Sequence, residues 1–289
     1  MKKENLRFYI LCVAAVAVIA AIIGIGSRTF YLNDEIPASK TTVSEKDAES
    51  LPEIPLPSEQ NDLLKIAVDA QGTEEKVAYL TFDDGPTKEV TPKILDVLKQ
   101  YDAKATFFML GKMIERNSDL AKRVHDEGHL LANHTYSHSY ADLYATGESF
   151  MAEIEKTNGL IRGIIGEEPF HLIRFPGGGY NAGNYAAEKQ LYKLLLQEKG
   201  YYFADWNSLN GDAEGGTRSA EQLVARIRQT SGPKNLVILM HDAATKKSTA
   251  EALPAIIEYL KGEGYVFRRL DEIKYYGGTN VRPVPDMEM

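Results

Sequence analysis

Residues 77–86, VAYLTFDDGP, run from a short apolar segment into two adjacent carboxylates, Asp83 and Asp84, and stop at the turn pair Gly85-Pro86. A strand that ends in charge rather than in Gly-x-Gly-x-x-Gly has no loop to cradle a dinucleotide's phosphates, which weakens a nucleotide-binding reading. It does put polar groups at a strand C-terminus, where barrel-like α/β proteins gather their chemistry. Two neighbouring carboxylates repel one another and cost stability unless a cation or a basic partner offsets them. Alone, the dipeptide reads as an ordinary turn.

Working outward from this strand towards the C-terminus, six more strand candidates follow: ATFFML, HLLANH, HLIRF, YYFADW, NLVILMH and YVFRRL. Between them lie amphipathic helical stretches: TPKILDVLKQY, SDLAKRVHDEG, ESFMAEIEKTNGLIRGI, NYAAEKQLYKLLLQEKG, SAEQLVARIRQT and TAEALPAIIEYLKGEG. Pro92 is acceptable in a first turn, and Gly128, Gly200 and Gly264 stand where helices stop. Strand and helix alternating about seven times predicts an α/β fold with a parallel sheet and helical crossovers, either open or closed into a barrel. The catalytic domain is expected over residues 76–289.

Towards the N-terminus the texture changes twice. Residues 28–75 are acidic and carry prolines among few large apolar side chains, so they read as a flexible stalk that cannot bury enough surface to offset its ordering entropy. Residues 8–26 are 19 positions without a charge, flanked by Lys2, Lys3 and Arg7 before and by Asp34 and Glu35 after. That length suits a membrane-spanning helix with the N-terminus in the cytoplasm. Residues 1–27 are therefore expected to be a cytoplasmic tip and signal anchor, placing the rest outside a cell membrane in single-pass form; the alternative is secretion after signal cleavage. The only cysteine, Cys12, lies inside this run, so the exported part has no disulfide. A formal net charge of −8 argues against nucleic acid as a partner.

Further candidates fall at strand ends. In NHTYSHS, His134 and His138 stand four residues apart after HLLANH; on one helical turn both imidazoles would point the same way, as chelation requires. With one carboxylate of the Asp pair they make a two-His, one-carboxylate set with open positions for water. Arg174 ends HLIRF, Asp205 and Trp206 end YYFADW, and His241 ends NLVILMH. Each alone has a bland explanation, but their shared location does not.

The ordered segments TFDDGP, HTYSH, RFPGG, DW and LMHD resemble the motifs of the polysaccharide deacetylase family, also known as carbohydrate esterase family 4 or NodB-like domains, over roughly residues 76–276. The resemblance implies an irregular (β/α) barrel with fewer units than a closed one. It implies a divalent metal, usually zinc though cobalt or nickel substitutes, held by Asp84, His134 and His138. Asp83 becomes the catalytic base with Arg174 orienting it, and His241 the general acid, tuned by Asp205. Trp206 and Leu239 would wall the pocket for the acetyl methyl, and the backbone N–H of Gly177 would meet the oxyanion. The implied reaction is removal of N-acetyl groups from amino sugars of a cell-wall polysaccharide, with peptidoglycan N-acetylglucosamine first. Chitin oligomers, poly-N-acetylglucosamine and acetylated xylan are alternatives within the family.

One departure stands out: the family commonly has tyrosine where this chain has Gly177, which removes an aromatic wall, and Tyr180 is the candidate to compensate. A non-catalytic carbohydrate-binding protein on the same fold is the competing class, favoured by eroded ligands or base. His125, His129 and His171 read as surface or structural histidines.

Overall fold

The computed structural model describes residues 61–69, 75–180 and 183–273. The expected anchor and most of the stalk lie outside them. No helix among the described residues is long and apolar enough to cross a membrane.

All seven expected strands form: β1 (Lys76–Asp83), β2 (Ala105–Met109), β3 (Leu130–Asn133), β4 (Leu172–Ile173), β5 (Tyr202–Phe203), β7 (Asn235–His241) and β8 (Tyr265–Phe267). A two-residue strand too short to show a period in the sequence, β6 (Ser208–Leu209), makes the eighth. Every pairing is parallel, in the order β5-β4-β3-β2-β1-β7-β6, with β8 joining the start of β1 beside β2. Between the open and the closed alternatives, the sheet is open among the described residues: β5 and β6 are its ends and do not pair there. Helical crossovers lie between most of the strands, as parallel pairing requires.

The six expected helices are α2 (Thr91–Gln100), α4 (Ser118–Asp126), α6 (Gly147–Ile165), α7 (Ala186–Glu198), α8 (Ala220–Thr230) and α9 (Lys247–Gly262). Thr146 and Ser219 start α6 and α8 with reciprocal capping boxes. Three shorter helices, too short for a helical period to show in the sequence, are α1 (Leu63–Asp69), α3 (Gly111–Arg116) and α5 (Tyr140–Leu143).

Side-chain alternation on β1 divides the core. Ala78, Leu80 and Phe82 pack with Ile94, Leu95 and Leu98 of α2 and Leu253, Ile256 and Ile257 of α9 in one cluster. Val77 and Tyr79 join a different one, with Phe108, Ala132, Leu172 and Val237. By the two-residue period, Thr81 and Asp83 continue that second face to the strand's end.

What fills the second face corrects the stalk boundary. Leu63, Ile66 and Ala67 of α1 are 0%, 5% and 1% exposed and belong to the second cluster. Asp62 pairs with Phe203 in an isolated bridge, and Asn235 donates its amide N–H to the Ala67 carbonyl at 2.7 Å. The segment was misread because LLKIAV is a short apolar island in an acidic, proline-bearing stretch whose average composition conceals it. Leu63→Ala should destabilise the domain by about 2–5 kcal/mol, the range for truncating a fully buried leucine; urea titration with an unchanged midpoint would contradict the buried role. A fragment beginning at residue 76 should be less stable than one that includes α1.

Candidate active site and metal centre

The face of β1 that carries Thr81 and Asp83 meets Arg174, which follows β4. This guanidinium is 0% exposed and every arm of it is engaged. Nη1 donates to Asp83 Oδ1 at 2.8 Å and to Thr81 Oγ1 at 2.7 Å, Nε to the Ala204 carbonyl at 2.8 Å, and Nη2 to the Asp205 carbonyl at 3.3 Å. It also stacks on Phe108, 4.1 Å from the ring centroid. A buried ion pair is tolerable when its other donors find acceptors, and here all three guanidinium nitrogens donate. Because Oδ1 of Asp83 is held by Arg174, Oδ2 is left towards His134, whose Nε2 lies 3.9 Å away.

Asp84, His134 and His138 come together. One ligand atom from each lies within 4.8 Å of the others, and Asp84 Oδ1 stands 3.7 Å from Nε2 of both histidines. These separations are too long for hydrogen bonds. They suit donors around one small cation, since atoms about 2.1 Å from a tetrahedral centre lie about 3.4 Å apart. His134 Nδ1 is 2.8 Å from the Arg174 carbonyl, an acceptor, so Nδ1 carries the proton and Nε2 offers its lone pair to the cluster. Burial, followed by the nearby His134, pushes His138 below the usual histidine range against the pull of Asp84, which favours the neutral ligand form. The residues present therefore fit a divalent metal.

The chelating pair is not on a helical turn, contrary to expectation. Residues 134–139 form a loop, and His138 and Thr135 have φ of 59° and 68°. Asp84 has φ of 78°, so three of the four positive-φ non-glycine residues described belong to this site. Such a conformation is costly for a β-branched threonine and persists only where surroundings impose it. Here Asn133 Oδ1 accepts the Thr135 N–H at 2.7 Å, while Glu153 of α6 accepts the N–H groups of Tyr136 and Ser137 at 3.0 and 2.8 Å. On the Asp84 side, a Cβ on Gly85 would lie 2.0 Å from Asp242 Oδ2, so the turn after the aspartates accepts only glycine without rearrangement.

His241, at the end of β7, lies directly beside Asp83 in the sheet register. Its carboxylate partner is Asp212, not Asp205. Nδ1 is 2.7 Å from Asp212 Oδ1, and the His241 backbone N–H donates to Asp212 Oδ2 at 2.9 Å. Thr249 adds a 2.7 Å bond to the same oxygen. Burial alone would lower the imidazole's pKa, but the Asp212 hydrogen bond and charge, with the fields of Asp83 and Asp84, outweigh it and push His241 up to about 9. Asp205 instead accepts the backbone N–H groups of Gly179 and Tyr180 at 2.8 and 3.0 Å, holding the glycine loop. The signal for Asp212 is the two-residue strand β6: Leu209 pairs beside Leu239, which brings Asp212, three residues on, to His241.

The remaining candidates separate. Leu239 sits beside Thr81 in the register, on the Asp83 face of the sheet and only 7% exposed. Trp206 packs at the edge of the second cluster, its ring 5.7 Å from the Arg174 guanidinium. Gly177 has φ of 73°, and a Cβ there would lie 2.4 Å from the Tyr140 hydroxyl. Tyr180 points its hydroxyl elsewhere, to Asp62 Oδ2 at 2.6 Å, with the Lys193 ammonium 3.3 Å above its ring. His129 is structural: it is buried against Phe107, accepts the Ala105 N–H, and is pushed down to about 4, chiefly by burial. His171 is held by Glu168 and stacks on Tyr201.

A sequence profile described as polysaccharide deacetylase matches residues 70–193. The chain is 37% identical over 217 residues to a peptidoglycan-N-acetylglucosamine deacetylase of Bacillus cereus, covering 71% of this chain and 73% of that protein. It is 30% identical over 205 residues to a peptidoglycan-N-acetylmuramic acid deacetylase of Bacillus subtilis, covering 70% of this chain and 73% of the other. Among solved structures, the catalytic domain of a peptidoglycan N-acetylglucosamine deacetylase from Eubacterium rectale matches with a TM-score of 0.64 at 32% identity, covering 74% of this chain and 94% of that one.

Proposed function

Because this chain belongs to the polysaccharide deacetylase family, we propose that it is a metal-dependent hydrolase that removes N-acetyl groups from peptidoglycan, with N-acetylglucosamine as the first substrate. The observation that carries this reading is a pair of proton-handling groups on neighbouring strand ends beside one ligand cluster: Asp83, tied at Oδ1 by Arg174, and His241, tied at Nδ1 by Asp212. Asp84, His134 and His138 would hold the metal. Two imidazoles and one carboxylate suit zinc, with cobalt or nickel as substitutes. A divalent cation there supplies Lewis acidity, lowering the pKa of water towards neutrality and offsetting charge on a carbonyl oxygen.

The chain's own residues account for the proton movements. Asp83 Oδ2 takes a proton from the attacking water as the bond to the acetyl carbon forms. His241, protonated at neutral pH by virtue of Asp212, gives its Nε2 proton to the sugar nitrogen as the C–N bond breaks. Without that proton an amine is a poor leaving group. Leu239, on the same face, offers an apolar wall to the acetyl methyl. The products are acetate and a free-amine sugar. The uncharged run at residues 8–26 supports a place at the outer face of a cell membrane, within reach of the wall polymer.

The test is acetate release from purified peptidoglycan, N-acetylglucosamine oligomers and acetylated xylan. Chelator treatment should abolish it, and restoration should follow uptake of about one divalent metal per chain. Full activity in metal-free protein would overturn the metal reading. Oligomer binding without acetate release would instead favour the carbohydrate-binding alternative.

A further inference from the structure

Tyr140 stands at the mouth of the ligand cluster. It opens α5, two residues after His138, and meets that imidazole edge-on with ring centroids 5.6 Å apart. It is 36% exposed, one of few large hydrophobic side chains among the described residues that are. Its hydroxyl lies over Gly177, in the space where any other residue at that position would put its Cβ. The residue thus bridges two loops that flank the cluster, the one carrying His138 and the one following Arg174.

The ring is supported from behind. Tyr140 lies against Tyr144 and Tyr185, with centroids 5.9 and 6.1 Å away, and those two stack on each other at 4.9 Å. Tyr144 is buried and its hydroxyl donates to the Pro176 carbonyl at 3.3 Å, tying the platform to the glycine loop. The hydroxyls of Tyr136, Tyr144, Tyr180 and Tyr201 are each committed to a protein acceptor. That of Tyr140 has no hydrogen-bond partner among the described residues. A rigid aromatic face with an uncommitted polar tip is the combination that binds a sugar, whose ring presents both apolar C–H faces and hydroxyls.

We propose that Tyr140 binds the acetamido sugar beside the metal cluster, its ring against the pyranose and its hydroxyl donating to the sugar's polar rim. The assignment rests on the deacetylase reading. A sugar whose acetyl carbonyl reaches Asp84, His134 and His138 must lie within a ring's width of His138, and Tyr140 occupies that border. It also gives Gly177 a reason: the glycine leaves room for a hydroxyl delivered from the other loop.

The test uses the full chain carrying Asp83→Asn, so that substrate binds without turning over, with N-acetylglucosamine tetramer as the calorimetric probe. Tyr140→Phe keeps the packing on Tyr144 and Tyr185 and removes only the hydroxyl; it should weaken binding roughly fivefold with no change in Tm or metal content. Tyr140→Ala should weaken it roughly thirtyfold. In otherwise unaltered protein the same substitutions should raise KM for acetate release more than they lower kcat. Unchanged affinity and KM in Tyr140→Phe would overturn the assignment while leaving the deacetylase reading intact. No acetate release from any amino sugar by the unaltered protein would overturn both.

Discussion

Asp83→Asn should lower kcat for acetate release by roughly a hundredfold to ten-thousandfold, the contribution of a positioned general base, while the protein still binds about one metal per chain. The separation of these effects follows from geometry. Asp84, not Asp83, stands 3.7 Å from both imidazoles, whereas Asp83 spends one oxygen on Arg174 and faces the cluster with the other. Asparagine retains an acceptor for the guanidinium but removes the negative charge opposite a cation that is 0% exposed. Stability should therefore fall too, by less than the roughly 3–5 kcal/mol expected when a buried charge loses its partner outright. Single-turnover kinetics and metal analysis on one preparation separate the outcomes. Retained turnover would remove Asp83 from the base role, and loss of metal would make it a ligand.

Asp212→Asn should cost nearly as much at pH 8 and much less at pH 5.5. His241 is pushed up to about 9 because the hydrogen bond and charge of Asp212 outweigh burial. With that charge gone, burial is opposed only by the fields of Asp83 and Asp84, and the imidazole's pKa falls from about 9 towards its ordinary value of about 6.5. A general acid works only while protonated, so the falling limb of kcat/KM should move from near pH 9 towards about pH 6.5. The same linkage acts on stability. A histidine whose folded pKa is raised stabilises the fold fully below about pH 6.5 and loses that contribution as pH rises through about 9. Asp212→Asn should remove this slope from the alkaline side of the unfolding profile. Asp205→Asn, which touches only the glycine loop, should leave the limb in place. A limb that moved with Asp205 rather than Asp212 would reverse the assignment.

Much of the fold was legible because its signals are local. Period-two and period-3.6 patterns, a first-turn proline such as Pro92, and stops at Gly128, Gly200 and Gly264 all act within a few residues of where they are written. What failed was local structure too short to have a period. Leu63–Asp69 is under two turns long, and Ser208–Leu209 is a strand of two residues. Each is held by partners distant in sequence: Asn235 and the second cluster for the helix, Ile238 and Leu239 for the strand. No window of neighbouring residues contains that information.

The site divides the same way. Two histidines with one carboxylate of the Asp83-Asp84 pair were legible by residue type and order, since the strand ends supply those chemistries, whereas Asp84 as the ligand and Arg174 as the partner of Asp83 were implied only by the family resemblance. Which carboxylate serves His241 was not legible, because Asp205 and Asp212 stand in one acidic turn-rich stretch and only the register of β6 against β7 decides between them. Nor was the route to two convergent imidazoles, which depends on positive φ at Thr135 and His138 imposed by Asn133 and Glu153. Tyr140 over Gly177 is of the same kind, a contact between two loops. The sequence by itself determined the order of strands and helices and the chemical types gathered at the strand ends, because periodicity and residue chemistry are properties of neighbouring positions. The tertiary structure alone decided the pairings, since hydrogen-bond partners are chosen by distance in space, and the packing of the sheet sets those distances.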